Sequence, residues 1–455
     1  MTADQEARLK PIRIGAGAGF SGDRIEPAVE LAERGELDYL VFECLAERTI
    51  ALAQLERLRD ADAGYDPLLA DRFRAVLPAC RTGGVKIITN MGAANPLGAA
   101  KAVAEIAREL GFAGLKIAAV RGDDVLEAVL AGDLPFTDRE GRVSDLAGRI
   151  ISANAYLGVE GIVEALATGA DVVITGRMGD PALFLAPMIH AFGWRLDDWR
   201  RLGQGTVIGH LLECAGQVAG GYFADPGLKD VEGLARLGFP FADVDETGDA
   251  VIGKLDGSGG QISLRTAKEQ LLYEVHDPAA YYQPDVVADF SRVSLAQAGP
   301  DRVRVSGGAG RPRSDTLKAT VGYRDGFIGE GQISYAGAGC VARARLALEI
   351  VEARLKLTGV AASELRFDII GADAVRRGGG ARADGPELAE ARIRVAGRTE
   401  TLKEAMRIGH EVESLWLNGP AGGGGATKSA REVIAAASVL VDRTLIKTHV
   451  AYEVA

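Results

Sequence analysis

The segment Ile12-Arg13-Ile14-Gly15-Ala16-Gly17-Ala18-Gly19 decides the fold class, because a short apolar run passes directly into alternating glycines. This pattern is typical of a buried strand that ends in a tight turn. Further apolar runs alternate with helical patterns through the first half of the chain, at residues 38–43, 85–90, 115–120, 150–153 and 170–175. The alternation predicts an α/β fold in which helices cover both faces of a mainly parallel sheet.

The number of runs favours an open, doubly wound sheet over an eight-stranded barrel. Antiparallel strands are predicted later in the chain, from period-two alternation at 302–306, 316–323 and 331–335. Helices are predicted at 341–357, 401–417 and 427–441, and a closing strand at 445–452. We therefore predict an α/β domain over residues 1–230 and an α+β domain over residues 231–455.

Charge and composition limit the partners. The 455 residues carry a net charge of −11, which argues against binding to nucleic acid or to an anionic membrane. No apolar run approaches the ~18 residues of a membrane-spanning helix. The four cysteines lack the spacing of a zinc site or a disulfide framework. We expect a cytoplasmic protein without a metal site, and a homo-oligomer on the general frequency of such assemblies.

The first candidate site is the glycine-rich turn after the first strand, where open α/β sheets bind ligands. Its backbone amides would bind an anionic group, with candidate residues Gly17, Gly19, Ser21 and Asp23. It is not a dinucleotide fingerprint, because Phe20 stands where the third glycine belongs. The alternative is a tight turn into a helix that begins near Asp23.

Polar residues also follow the second and third strands, namely Glu43, Asn90 and Asn95. The carboxyl ends of neighbouring parallel strands meet at one edge of a sheet, so we expect these side chains in the same crevice. Burial would shift the pKa of Glu43 towards general acid or base use. The alternative is a carboxylate that stabilises a helix N-terminus.

A third group follows the strand at 170–175. The guanidinium of Arg177 suits a substrate carboxylate or phosphate, and Asp180 is a further candidate contact. Alternatively, Asp180 caps a helix that has Pro181 at its first position.

The fourth group is His210, Glu213, Cys214 and Gln217, whose spacing places them on one face of a helix. A histidine beside a carboxylate and a thiol would supply an acid/base pair or an activated nucleophile. The alternative is a packed helix in which His210 only satisfies a neighbour.

The fifth group is the run Gly422, Gly423, Gly424 and Gly425, followed by Thr427 and Lys428. It has the glycines of a phosphate loop, but Thr427 replaces the last glycine and the run follows a helix rather than a strand. We expect an anion-binding turn that leads into a helix. A flexible linker is the alternative.

Seven motifs in fixed order resemble the acyclic terpene utilisation (AtuA-like) family, over nearly the whole chain from Ile12 to Val450. They are GAGAGFSGDR, DYLVFECLAERT, TNMGAANP, TGRMGDPA, GHLLECAGQVAGG, LLYEVHDP and NGPAGGGGATKS. Longer members carry a small C-terminal domain that this chain is expected to lack. The resemblance implies a cytoplasmic protein encoded with acyl-CoA-handling enzymes for branched, terpene-derived acids. It supplies no catalytic residues.

These observations together predict an enzyme that acts on a CoA thioester by acid/base chemistry, as a hydratase, isomerase or lyase. CoA would enter as part of the substrate, and no separate cofactor is expected. Two other functions stay open. One is an ATP-dependent ligase or kinase that uses the 422–425 run, and the other is a non-catalytic subunit that binds a catabolic enzyme.

Overall fold

The computed structural model describes residues 10–375 and 388–455. The chain forms two compact units, the first made of residues up to Gly322 together with Ala436–Ala455, and the second of Tyr323–Ala435. Its helices are α1 Glu26–Arg34, α2 Glu47–Arg59, α3 Leu69–Gly83, α4 Pro96–Glu109, α5 Leu126–Gly132, α6 Glu160–Ala167, α7 Ala182–Phe192, α8 Trp199–Glu213, α9 Leu264–Leu272, α10 Cys340–Leu357, α11 Leu402–Glu413 and α12 Leu415–Asn418.

The strands fall into three sheets. They are β1 Ile12–Ala18, β2 Tyr39–Phe42, β3 Lys86–Thr89, β4 Lys116–Arg121, β5 Ile150–Ala155, β6 Val172–Thr175, β7 Pro240–Val244, β8 Ala250–Lys254, β9 Tyr281–Tyr282, β10 Val287–Asp289, β11 Ser294–Gly299, β12 Arg302–Ser306, β13 Ala309–Arg311, β14 Thr316–Ala336, β15 Glu364–Ile370, β16 Glu390–Thr399, β17 Gly424–Asp442 and β18 His449–Val454.

The largest sheet is open, with strand order β11-β12-β8-β7-β1-β2-β3-β6-β4-β18. Its centre is parallel, since β1, β2, β3, β6 and β4 pair in the same direction. The central positions of these strands are apolar, and Tyr39–Phe42 and Val172–Thr175 are buried at every position. Full burial is the reason for continuous apolar runs, because both faces of a parallel sheet are covered.

Helices cover the sheet in two groups. In one, α3 packs against α1 and α4, and in the other α7 packs against α6 and α8. The predicted α/β class with a doubly wound sheet is confirmed. The predicted fifth strand forms at Ile150–Ala155 but lies outside this sheet, because β5 pairs with β14 instead.

The first unit does not end near residue 230, where the sequence analysis placed a domain boundary. β7 pairs antiparallel with β1, so that Val244 lies opposite Ile12, and β8, β12 and β11 extend the same edge. At the other edge β18 pairs antiparallel with β4. Main-chain pairing therefore joins residues from both ends of the chain into one sheet. The strands that follow residue 230 differ from the earlier ones in being antiparallel to their neighbours.

The second unit is an α+β unit. Its sheet has the order β15-β16-β14-β17, and α10 and α11 pack on β16. Its core includes Ile333, Ile393, Val395 and Ile408. The predicted helix at 427–441 is wrong, because these residues belong to strand β17. The alanines there favour a helix, but strand pairing outweighs this small propensity.

Candidate active site

A cavity of about 1580 Å³ lies in the first unit. Its wall includes the turn after β1, the residues that follow β2, and the end of α8. Predicted site residues that line it are Gly19, Ser21, Asp23, Glu43, Asp180, Glu213 and Cys214. This is the edge where an open α/β sheet binds its ligand, because its strands end there and its loops diverge.

Glu43 follows β2 directly and is buried. Its Oε1 accepts hydrogen bonds from the Leu45 amide and from Asn90 Nδ2, both at 2.9 Å. Asn90 is itself fixed, since its Oδ1 accepts the Cys44 amide at 2.7 Å. Burial raises the pKa of the Glu43 carboxyl to about 7, although the Arg177 charge acts in the opposite direction. The structure thus places Asn90 behind the cavity wall as a support for Glu43.

His210 and Glu213 form a buried pair at the end of α8. His210 Nδ1 lies 2.9 Å from Glu213 Oε1, and both side chains are almost completely buried. Burial raises the pKa of Glu213, and His210 opposes the shift. Tyr281 and Phe290 flank the imidazole, with ring centroids 5.4 and 5.5 Å away. The predicted pairing of a histidine with a carboxylate is present, and Glu213 rather than His210 lines the cavity.

Cys214 lines the cavity beside this pair. Helix α8 ends at Glu213, so Cys214 is its C-cap and Gln217 lies in the short 3-10 turn that follows. Burial raises the pKa of the Cys214 thiol, and the charge of Glu213 raises it further. A thiol in these surroundings stays protonated, which disfavours the predicted role of Cys214 as an activated nucleophile.

The glycine-rich turn after β1 packs closely on the end of α8. A Cβ atom on Gly19 would lie 2.5 Å from the Cys214 carbonyl carbon, so only glycine allows this approach. Gly17 lies earlier, inside β1, where a Cβ would meet the Phe42 ring at 2.6 Å. Gly17 is therefore a packing residue, whereas Gly19 lets the turn approach the backbone of Cys214.

Arg72 of α3 is a site residue that the sequence analysis missed. Its side chain is fully buried, and Nη2 donates to the carbonyls of Ser21 at 2.8 Å and Asp23 at 3.1 Å. Its Nη1 lies 3.3 Å from both Cys44 Sγ and Asp66 Oδ1. One guanidinium thus holds the turn after β1 against the residues after β2. The sequence pattern that could have predicted helix α3 is a set of apolar residues at helical spacing. These residues are Leu69, Phe73, Val76, Leu77 and Cys80.

Arg177 is turned inwards rather than into the cavity. It is buried, Nε donates to the Met178 carbonyl at 2.8 Å, and the side chain also bonds to Leu45 O and the Asp180 carboxylate. Helix α7 begins at Ala182 with Pro181 as its N-cap, so Asp180 binds Arg177 instead of capping the helix. This pairing fixes the loop that carries Glu43, since Leu45 belongs to it.

A second acidic group on the cavity wall is Glu47, which follows β2 as Glu43 does. Tyr156 Oη donates to Glu47 Oε1 at 2.5 Å, and Lys318 Nζ lies 3.0 Å from the same oxygen. Burial acts to raise the pKa of Glu47, but these two partners outweigh it and lower the value to about 2. Lys318 comes from β14, far away in sequence, so no local pattern indicated the pair.

Two predicted groups lie elsewhere. Asn95 is the N-cap of α4, where Oδ1 accepts the Gly98 amide at 3.0 Å. The run Gly422, Gly423, Gly424 and Gly425 belongs to the second unit and leads into strand β17. The predicted helix after this run is therefore wrong, because a strand follows it. Anion binding by the glycine run, on which the ligase alternative depends, stays a prediction.

Among residues 10–375 and 388–455, no cluster of three or more histidine, cysteine, aspartate or glutamate side chains is arranged to hold a metal ion. Over the same residues, no helix has the length and apolar character that crossing a membrane requires.

The fold is that of an α/β protein with a cavity at the carboxyl edge of its parallel strands. The chain belongs to the acyclic terpene utilisation family AtuA, whose pattern matches residues 12–452. Membership associates the protein with the utilisation of acyclic terpenes. No curated protein sequence matches it.

Proposed function

We propose that the protein is an enzyme of branched, terpene-derived acid catabolism that performs acid/base chemistry on a CoA thioester, as a hydratase, isomerase or lyase. The observation that carries the proposal is the Glu43 carboxyl in the cavity wall, with its pKa raised to about 7 by burial. Such a group is present in both protonation states at neutral pH, so it can accept a proton and return it.

The hydrogen bonds of Glu43 support this role. Both fall on Oε1, and no residue of the described part of the chain donates to Oε2. Oε2 is therefore the oxygen for proton transfer. In the proposed step it takes the proton from the carbon next to the thioester carbonyl. The C–H electron pair becomes the C=C bond of an enolate, and the C=O π pair moves onto the carbonyl oxygen. Returning the proton to another carbon gives an isomer, and loss of a β-substituent gives a lyase product.

The cavity has the size and lining for such a substrate. Its ~1580 Å³ exceed the ~300–1,000 Å³ of ordinary ligand sites, as an acyl chain with a pantetheine arm requires. Leu237, Phe239 and Tyr281 offer apolar surface to a branched chain. Arg24 and Lys318 are the cationic side chains of the lining for the CoA phosphates. No separate cofactor takes part in this proposal.

The test is deuterium incorporation into a branched acyl-CoA in D₂O, followed by mass spectrometry. We expect exchange at the carbon next to the carbonyl, and its loss in Glu43→Gln, which keeps the acceptor for Leu45 and Asn90. Glu105→Gln, an exposed carboxyl change on α4, is the matched control and should exchange like the unchanged protein. Equal exchange in Glu43→Gln, or no stabilisation by acyl-CoA beyond that by CoA, would refute the proposal.

We extend the proposal to a cytoplasmic homo-oligomer with a small-molecule substrate and no nucleic-acid or membrane partner. Native mass spectrometry of the purified protein checks the assembly. A stable complex with a different protein would instead favour the non-catalytic subunit.

A further inference from the structure

The turn Phe20–Asp23 is held from behind by Arg72. The Asp23 amide donates to the Phe20 carbonyl at 3.1 Å, which closes a β-turn. Arg72 Nη2 donates to the Ser21 carbonyl at 2.8 Å and lies 3.4 Å from the Phe20 carbonyl. Two successive carbonyls of the turn are therefore directed at one buried guanidinium.

Peptide planarity fixes where the amides of this turn point. In a trans peptide the carbonyl of one residue and the amide N–H of the next are antiparallel. Because the carbonyls of Phe20 and Ser21 face Arg72, the N–H groups of Ser21 and Gly22 face away from it. Both residues line the cavity, and neither amide donates to a residue within the described ranges.

The amides of Gly19 and Arg24 donate to the Asp23 carboxylate, whereas the amides of Ser21 and Gly22 do not. The Asp23 carboxylate accepts the Gly19 amide at 2.9 Å and the Arg24 amide at 2.8 Å. One carboxylate thus satisfies the donors on either side of the turn. Two adjacent, oriented N–H donors with a buried cation behind them form the arrangement that stabilises negative charge on a carbonyl oxygen.

We infer that the Ser21 and Gly22 amides form a two-donor subsite for the carbonyl or carboxylate oxygen of the substrate. The inference deepens the proposed function and rests on it for the reaction. When Glu43 removes the proton, the electron pair that reaches the carbonyl oxygen is stabilised by these amides. Arg72 connects this subsite to Glu43. It donates to the carbonyl of Ser21 in the turn, and its Nη1 lies 3.3 Å from Sγ of Cys44, the residue next to Glu43.

A thioester and a free carboxylate present the same acceptor chemistry, so the test compares both. The probes are a branched acyl-CoA with its S-alkyl thioether, which lacks the carbonyl oxygen, and the branched carboxylate with its alcohol. A subsite for oxygen should favour the first member of a pair by at least about three- to tenfold in affinity, the effect of one of its two hydrogen bonds.

The decisive variant is Ser21→Pro with Ser21→Ala as its matched control. Both lose the hydroxyl, and only proline loses the amide hydrogen. Ser21 is the second residue of the turn and its φ is not positive, which is the position that proline favours. We expect the preference for the oxygen-bearing probe in the unchanged protein and in Ser21→Ala, and a preference about three- to tenfold smaller in Ser21→Pro, where the Gly22 amide is the remaining donor.

A second measurement does not depend on the folding of the proline variant. In ¹⁵N-serine-labelled protein, the Ser21 signal is the one that Ser21→Ala removes. It should move downfield with acyl-CoA and not with the thioether. The same shift with only the carboxylate supports the subsite and removes the thioester from the proposed function. Equal binding within both pairs, or a Ser21 signal that no probe moves, overturns the inference.

Discussion

The imidazole Nδ1 of His210 lies 2.9 Å from Oε1 of Glu213, and the two side chains are 0% and 6% exposed. Within residues 10–375 and 388–455, His210 Nε2 and Glu213 Oε2 have no hydrogen-bond partner. Each side chain is thus the polar partner of the other in a buried position. Losing one leaves the other unpaired, which costs more than the bond itself contributes.

A double-mutant cycle on this pair is therefore expected to be non-additive. His210→Ala and Glu213→Ala should each lower the free energy of unfolding by ~2–4 kcal/mol, through a cavity and an unpaired polar group. The double variant should be ~1–2 kcal/mol more stable than the sum of the single changes implies. Urea unfolding measures all four proteins. Additive losses would show that the pair does not interact.

The raised pKa of Glu43 predicts a pH dependence of stability. The folded value of about 7 lies above the value in the unfolded chain, so Glu43 stabilises the fold below about pH 4.5. That contribution is lost as pH rises through about 7. Relative to Glu43→Gln, the unchanged protein should lose on the order of 2–3 kcal/mol between pH 5 and 8. Thermal melts of both proteins over this range test it, and parallel curves would contradict it.

The close approach at Gly19 predicts different outcomes for two glycine substitutions. Gly19→Ala should destabilise the protein by ~1–3 kcal/mol, because its Cβ would lie 2.5 Å from the Cys214 backbone. Gly424→Ala is the control, since nothing lies within 4 Å of a Cβ there. It should change stability by less than ~0.5 kcal/mol. Chemical unfolding compares them, and a tolerated Gly19→Ala would show that the turn can move.

The proposed role of Lys318 predicts a salt-dependent loss of acyl-CoA affinity. Lys318→Met should weaken binding about fivefold at low salt, and less at 0.5 M salt, because added ions screen an exposed charge. Lys101→Met, an exposed change on α4, keeps the net charge equal and should leave affinity unaltered. Calorimetric titration measures both. Equal affinity of the two variants would place the phosphates elsewhere.

The sequence predicted the parallel strands well because each is buried on both faces and reads as one apolar run. It predicted β17 wrongly because Ala435, Ala436 and Ala437 favour a helix in isolation. Strand pairing across the sheet decides that segment, and no local pattern records such a partner. β5 shows the same limit, since its strand character was visible but its partner β14 was not.

The candidate site was predictable where its residues follow strands or share a helix face. Glu43, His210 and Glu213 met these conditions, and the structure brings them together. Arg72 and Lys318 did not, because they come from a helix and a strand far away in sequence. Arg177 was visible, but only its contacts with Leu45 and Asp180 show that it supports the loop from within.

The pairing of β18 with β4 also determines when this edge of the sheet is completed during biosynthesis. β4 is complete at Arg121, whereas His449–Val454 is synthesised about 330 residues later. At ~5–20 residues per second the ribosome leaves that edge of β4 without its strand for roughly tens of seconds. An unpaired, apolar strand edge is a template for aggregation. The nascent chain is thus most vulnerable during this interval, and yield in cells should respond to chaperone supply more than the finished protein's stability would suggest.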